Sequence, residues 1–454
     1  MKQKGIVRPI GTFLCATAIG FLTLMDQGVG CAAGDPAMQS KPAPLPTLTL
    51  TLRDALTAAV DNNPDVQLYK ERIEAAQGEV QKQLGAMLPN LSSNVRQSNQ
   101  TVFRGTFGLG PTRSDPFSIF DARVSATQNI LSISLIQRWR ASRESLHVVE
   151  FEADIRKFDT MASVALLYME GLKAMGMVKM HESNQQVMSD LLGLVKQRQK
   201  SGVATGLDIA RLEAQIANER QLAASARYDV QHAKLNLLNL LSLPYETPVA
   251  LSDEFKADVL ELNGPQAAVD EALANRPEVQ AQVTKIKATE LTYSSITGER
   301  LPSLVAQGDY GLIGNRWSNT LDTYSMALLL QIPIFDGGQR EGRIAQARSQ
   351  LRQEALRMRS VINHVKMEVH DAVASLAAAQ EQVGIARIGT QAATKELDLA
   401  KERYAVMTAV SHFELTNALT AVARAKENLI NALFQLNAAR VNLARSTGSL
   451  KELN

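Results

Sequence analysis

The chain has 454 residues, 45% apolar and 5% aromatic, with 48 Lys and Arg against 46 Asp and Glu and a formal net charge of +2. That length exceeds what one hydrophobic core needs, and the near-neutral balance gives a nucleic-acid or acidic partner no compositional support. Both cysteines, Cys15 and Cys31, lie near the N-terminus, which excludes a disulfide framework for the rest of the chain.

Lys2, Lys4 and Arg8 precede an apolar run from Ile10 to Met25, and the small residues Gly28, Gly30, Ala32 and Ala33 follow. Residues 1–32 therefore read as a secretory signal peptide, and the remainder as exported. Cys31 has two readings, a lipid-modified first residue or a residue lost with the leader, and Gly28, where a lipoprotein signal usually has a large aliphatic side chain, favours loss. Beyond the leader no apolar run reaches the roughly 18 to 20 residues of a spanning helix. Any membrane crossing is expected to use strands.

Residues 33–50, with Pro36, Pro42, Pro44 and Pro46, read as an extended N-terminal arm. A helix is expected from Leu52, broken before Pro64 and resuming through Leu88. Strand-like patterns at Leu91 to Phe103 and Phe117 to Ile130 predict a hairpin at about residues 90–131, with a loop over 104–116. A long helix from Ser132 to Lys200 and a return helix from Leu207 to Leu241 complete a unit at 51–243. A connector follows at 244–264, marked by Pro244, Pro248 and Gly264.

The same phrases then recur. Asn63-Pro-Asp-Val is echoed by Arg276-Pro-Glu-Val, and Leu88-Pro-Asn-Leu by Leu301-Pro-Ser-Leu, both at an offset of 213 residues. A constant offset over two separate motifs predicts two copies of one unit, the second at 265–450. Its hairpin is expected at about 304–334, from strands Leu304 to Ile313 and Tyr324 to Ile332 joined through 314–322.

The period changes along this second unit. Tyr324, Met326, Leu328, Leu330 and Ile332 alternate with Ser325, Ala327, Leu329 and Gln331, as in a strand. Pro333 ends the ladder and Gly337 and Gly338 supply a corner. Thereafter Ile344, Ala347, Leu351, Ala355, Met358, Ile362, Val365, Val369, Ala372, Leu376, Ala379, Val383 and Ala386 step by three and four, a heptad seam. No proline interrupts Gln339 to Tyr404, about 100 Å of chain if helical throughout, and a return helix is expected from Phe413 to Arg445.

Aromatic residues collect in and beside the hairpins, at Phe103, Phe107, Phe117, Phe120, Tyr310, Trp317 and Tyr324. They fit either the interfacial girdles of an outer-membrane barrel or the core of a small soluble sheet. In hydrocarbon an open four-stranded sheet would leave backbone groups unpaired. Closure needs several chains, and three identical chains would supply twelve strands.

These residues resemble the outer-membrane efflux protein family, the TolC-like channel subunits of drug efflux pumps and type I secretion systems. The resemblance covers about Thr49 to Leu450. It rests on the two paired phrases, on Pro333-Ile-Phe-Asp-Gly-Gly338, on Arg198-Gln-Lys-Ser-Gly-Val-Ala-Thr-Gly-Leu-Asp208-Ile, and on Leu443-Ala-Arg-Ser-Thr-Gly448.

The resemblance implies a mainly α fold with a membrane β-barrel: a homotrimer whose 12-stranded barrel, four strands per chain, continues into a long coiled-coil α-helical barrel. It implies the outer membrane of a Gram-negative bacterium, contact with outer-membrane lipid, and extension into the periplasm. It also implies a periplasmic adaptor protein and an inner-membrane RND, ABC or MFS transporter as partners.

The family's adaptor-contacting tip maps onto Gly202, Val203, Ala204, Thr205 and Asp208 in the first helix turn and onto Met407 and Thr408 in the second. Gly202 also suits a helix C-terminus needing positive φ, and Asp208 a helix N-cap. The second turn departs from the family pattern, with Met407 in place of the usual Gly and one extra residue before Glu414. Aligned on Ala418, the periplasmic constriction falls on Glu414 and Asn417, so one carboxylate of two is retained. Glu414 reads either as one third of an acidic ring or as a solvated acid at a helix start. Pro333, Phe335, Asp336, Gly337 and Gly338 form the strand-to-helix corner.

No nucleophile-base arrangement, phosphate loop or Cys/His cluster has convincing spacing, so no enzyme, cofactor or metal is expected. His364, Met367 and His370 step by three and drift around their helix. The leading reading is a passive exit duct, for small molecules or alternatively for type I protein secretion. The rival is a soluble periplasmic coiled-coil scaffold.

Overall fold

The computed structural model describes residues 48–108, 110–257, 264–406 and 412–450. The leader with Cys31, residues 33–47 of the arm, and Met407 and Thr408 lie outside these.

Each half begins with two short helices divided at a proline. In the first, α1 (Leu52–Asn62) opens on a capping box between Thr51 and Asp54, and α2 (Pro64–Gly85) places Pro64 at its first turn. Asn63 caps α2 by accepting from the Asp65 amide at 2.9 Å, and its Nδ2 donates to the Leu240 carbonyl at 2.9 Å. In the second, α5 (Pro265–Asn275) and α6 (Pro277–Gly298) are separated by Arg276. Each pair leads through two strands into a long helix and a return helix. The first set is β2 (Asn90–Gln100), β3 (Phe117–Leu131), α3 (Ile133–Lys200) and α4 (Gly206–Leu240); the second is β5 (Ser303–Arg316), β6 (Asn319–Gln331), α7 (Gln339–Val406) and α8 (His412–Thr447).

The four long strands form one antiparallel sheet in the order β2-β3-β5-β6, leaving β2 and β6 as open edges. Two features of this region are absent from the sequence pattern. The loop after β2 holds a 3-10 turn, Arg104–Phe107. The second hairpin has no long connection: β5 and β6 run on to Arg316 and Asn319 and close over Trp317 and Ser318. A register shift between Gly314 and Arg316 makes this possible. A Cβ on Gly314 would lie 1.8 Å from the Asn319 carbonyl oxygen, so the close approach requires glycine.

The connector also departs from expectation. It contains β4 (Val249–Leu251), which pairs in parallel with β1 (Leu48–Leu50). Both are three-residue strands, too short for a periodic signal. They cover a core shared by α1, α3, α4 and α8, centred on Tyr168, whose hydroxyl donates to the Leu50 carbonyl at 2.9 Å.

One 18-residue window of α3 has the length and composition of a membrane span, against the expectation that none exists beyond the leader. Half of that window is buried within the unit, and Met161, Val164, Ala165, Tyr168 and Leu172 of α3 belong to the same core. Burial against other helices explains its apolarity.

The α7 seam is buried at Ile344, Ala347, Val365, Val369, Ala372, Leu376, Ala379 and Val383, but Ala355 is exposed and Glu354 takes the buried position. Glu354 is held by Gln282 of α6, whose amide donates to its carboxylate at 2.9 Å. Val365 and Val369 pack with Val269, Ala272 and Val279 of α5 and α6, whereas Leu376, Ala379 and Val383 pack with Ala432, Leu436 and Ala439 of α8. One heptad pattern thus serves two successive partners.

Candidate functional site: helix turns, sheet faces and corner

At the first turn α3 ends in a tight reversal. The Arg198 carbonyl accepts from the Ser201 amide at 3.1 Å and the Val203 amide at 3.0 Å, and Gly202 donates to the Gln199 carbonyl at 2.9 Å. Gly202 has φ +78° with no atom within 4 Å of where a Cβ would stand, so its demand is conformational, not steric. Val203 and Leu207 are exposed, while Ala204 packs against a core below.

Asp208 is not the cap of α4. Thr205 caps it, and Asp208 closes the box from the third helical position, accepting from the Thr205 hydroxyl at 2.7 Å and the Thr205 amide at 3.0 Å. The Thr-x-x-Asp spacing is the local cause.

The second turn is flanked by Arg403 and Glu414, which pair at 2.6 Å. Their side chains are 57% and 44% exposed, so the pair contributes little and is screened by salt. Asn417, one turn further, is exposed. The helix ends on either side of the two turns lie together: Val195, Leu212, Tyr404 and Leu415, one from each long or return helix, belong to one buried cluster. Above it the Arg198 guanidinium covers the ring of buried Tyr404. Sequence reading missed this contact because nothing in spacing joins positions on separate halves of the chain.

The sheet has two chemically different faces. Directly paired residues share a face, and the register sets Val124, Tyr310 and Tyr324 in one row, with Met326 two residues on. These side chains are 50%, 59%, 74% and 87% exposed. The opposite row reads Asn94, Arg123, Gly311 and Thr323. There Arg123 binds Asp121 at 3.1 Å and also Asp309. The alternation of Asp121 and Arg123 with apolar neighbours carried that signal, although their pairing with Asp309 required the register. Phe103, Tyr310, Trp317 and Tyr324 are all exposed, so they do not form the core of a small sheet.

At the corner Pro333 leads from β6, and Asp336 accepts from the Arg340 amide at 2.9 Å at the start of α7. Gly337 and Gly338 adopt φ +69° and +84°. Ile334 and Phe335 point outward, 89% and 84% exposed. His364, away from all these regions, pairs with Glu368 at 3.0 Å.

A family model described as outer membrane efflux protein matches residues 55–242 and 268–449. Among curated relatives, the pyoverdine export outer membrane protein OpmQ of Pseudomonas putida is 24% identical over 311 residues, covering 67% of this chain and 66% of that protein, just under two thirds of its length. The outer membrane efflux protein BepC of Brucella suis is 24% identical over 417 residues, covering 89% of this chain and 86% of the relative. Among solved structures, the Campylobacter jejuni CmeC outer membrane channel superposes with a TM-score of 0.77 at 15% identity, covering 88% of this chain and 86% of that one.

Proposed function

This chain belongs to the outer membrane efflux protein family, and we propose that it forms a trans-periplasmic exit duct for small molecules delivered by an inner-membrane transporter and a periplasmic adaptor. One observation carries the reading: a two-faced, open-edged sheet joins through a glycine corner to a 68-residue helix. The sheet's apolar face suits lipid and its polar face suits a water-filled lumen. The unpaired edges β2 and β6 cannot stay open in hydrocarbon, so three copies join them into a 12-stranded barrel. The chain comprises two copies of one unit, a reading supported by the recurring element order and the twofold family match.

In this reading Gly202, Val203, Ala204, Thr205 and Asp208, with Met407 and Thr408, meet the adaptor at the periplasmic end, and Glu414 and Asn417 line the constriction. Pro333 to Gly338 redirect the chain from barrel to helix. The chain carries no catalytic role, and Cys31 leaves with the leader. Small-molecule efflux is favoured over protein secretion by the efflux and pyoverdine-export names of the relatives.

The test is single-channel conductance of the detergent-purified mature protein in planar bilayers, with oligomeric mass measured on the same sample. A trimer giving low-conductance, cation-preferring events is expected. A monomer that never inserts would return the chain to the soluble scaffold reading.

A further inference from the structure

Where the sheet passes into the helices, arginines gather. Glu299, just past α6, pairs with Arg343 at 2.6 Å and lies 3.7 Å from Arg138. Its backbone oxygen accepts from Arg340 at 3.2 Å. Beside it Arg300 pairs with Glu341 at 2.7 Å, and Asp336 lies 4.0 Å from Arg343. Four guanidinium groups thus face three carboxylates, and the collar stays cationic.

Two further observations point to a ligand of opposite charge. Arg340 is only 9% exposed, yet its Nε has no acceptor among the described residues. A buried donor left unsatisfied is costly, and a charged one more so. Meanwhile Arg138, Arg300 and Arg343 are exposed.

The depth of the collar selects the ligand. Arg300 precedes β5 by three residues, Arg340 and Arg343 occupy the first turns of α7, and Arg138 is the sixth residue of α3. At 1.5 Å per helical residue Arg138 falls about 10 Å from the end of β3, and the contacts of Arg340 and Arg343 with Glu299 hold them at a similar level. Headgroup layers extend roughly 5 to 8 Å beyond the hydrocarbon core on each side. Ile334 and Phe335, nearly fully exposed, lie between the strand end and these arginines.

We propose that this collar binds the phosphate groups of anionic phospholipids in the leaflet facing the helices, with Ile334 and Phe335 seated among the acyl chains beside them. The proposal rests on the barrel reading above. It makes the junction a headgroup site and not merely a boundary, fixing the depth of the barrel by charge as well as by apolar width.

The mature full-length protein, reconstituted into bilayers of phosphatidylcholine and phosphatidylglycerol and re-extracted in mild detergent, tests it through the ratio of the two lipids that co-purify. Wild type is expected to enrich phosphatidylglycerol, and the R138Q/R300Q/R343Q variant to lose at least fivefold of that enrichment, about the contribution of a single surface arginine. The corresponding triple Lys variant, which keeps the charge, retains it and controls for folding. Insertion without enrichment, or enrichment undiminished in the Gln variant, overturns the proposal while leaving the barrel reading intact. Displacement of the lipid by inorganic phosphate at matched ionic strength reassigns the collar to free anions and also overturns it. Failure to enter any bilayer overturns the barrel reading itself.

Discussion

The guanidinium carbon of Arg198, in the last turn of α3, lies 4.3 Å from the ring centroid of Tyr404, near the end of α7. Tyr404 is 4% exposed, so the cation closes the end of a buried cluster to which all four long and return helices contribute. This contact couples the first turn to the second.

Replacing Arg198 with Ala is expected to lower stability by about 1 kcal/mol, in the range of a partly desolvated cation–π pair. Tyr404→Leu, which keeps bulk and removes the aromatic face, should cost a similar amount from this contact. A double-mutant cycle by thermal unfolding reads the coupling directly. Strictly additive effects would show that the two residues are neighbours without being partners.

Arg276 supplies a pH prediction. It is 3% exposed and binds both Glu278 and Glu368. Burial pushes the Glu278 carboxyl up, but the hydrogen bond and charge of Arg276 outweigh it and hold the group below its ordinary 4.5. A carboxyl depressed in the folded state contributes stability above its unfolded value, and that contribution disappears as pH falls through the lower folded value. Wild type should therefore lose stability on acidification below about pH 4.5, and Glu278→Gln should show a flatter acid limb. Arg276→Ala, which strands two carboxylates, should cost about 3 to 5 kcal/mol near neutrality. Chemical denaturation across pH measures all three.

Gly202 separates backbone geometry from contact. With φ +78° and open space around it, any side chain fits but most pay for the left-handed conformation, about 1 to 2 kcal/mol. Asn tolerates that region and should be nearly neutral, whereas Val should disturb the turn. Export by Gly202→Val should fall while the oligomeric mass stays at that of wild type, with Gly202→Asn close to normal. Equal export by both variants would remove this turn from the proposed adaptor surface.

Much of this architecture is legible in the residues because it rests on long periodic patterns. The heptad seam of α7 and the alternation of β3 and β6 are long enough to outweigh local noise, and Pro64 and Pro277 mark helix starts by their missing N–H. What escaped reading was short or non-local. The strands β1 and β4 have three residues each and exist only through each other. The tight β5–β6 turn depends on glycine at 314 meeting residue 319, and Arg198 meets Tyr404 only after two hairpins fold side by side. Asp208 fits a cap by residue type, but Thr205, three residues earlier, is the better cap and takes the position.

Gly314→Ala tests the hairpin end. The new methyl group would sit 1.8 Å from the Asn319 carbonyl oxygen, so the backbone must part at that point. Gly308 is the control: a Cβ there meets the Ser325 carbonyl oxygen at an ordinary 3.6 Å. The yield of folded, bilayer-inserted protein should drop for Gly314→Ala and hold for Gly308→Ala. Comparable yields from the two would mean that the bulge relaxes without difficulty.

The pairing of Glu414 with Arg403 bears on the constriction proposed above. Their 2.6 Å pair sets a guanidinium against the Glu414 carboxylate, so an acidic ring built from it would not be bare. If three Glu414 side chains line the pore, Arg403→Gln should unmask them and raise cation preference, while Glu414→Gln should abolish that preference and increase conductance. A Glu414 that only favours the start of α8 would leave conductance and selectivity alike in both variants and cost a few tenths of a kcal/mol in stability. Reversal potentials under a salt gradient, recorded for both variants beside wild type, distinguish the two roles in one experiment.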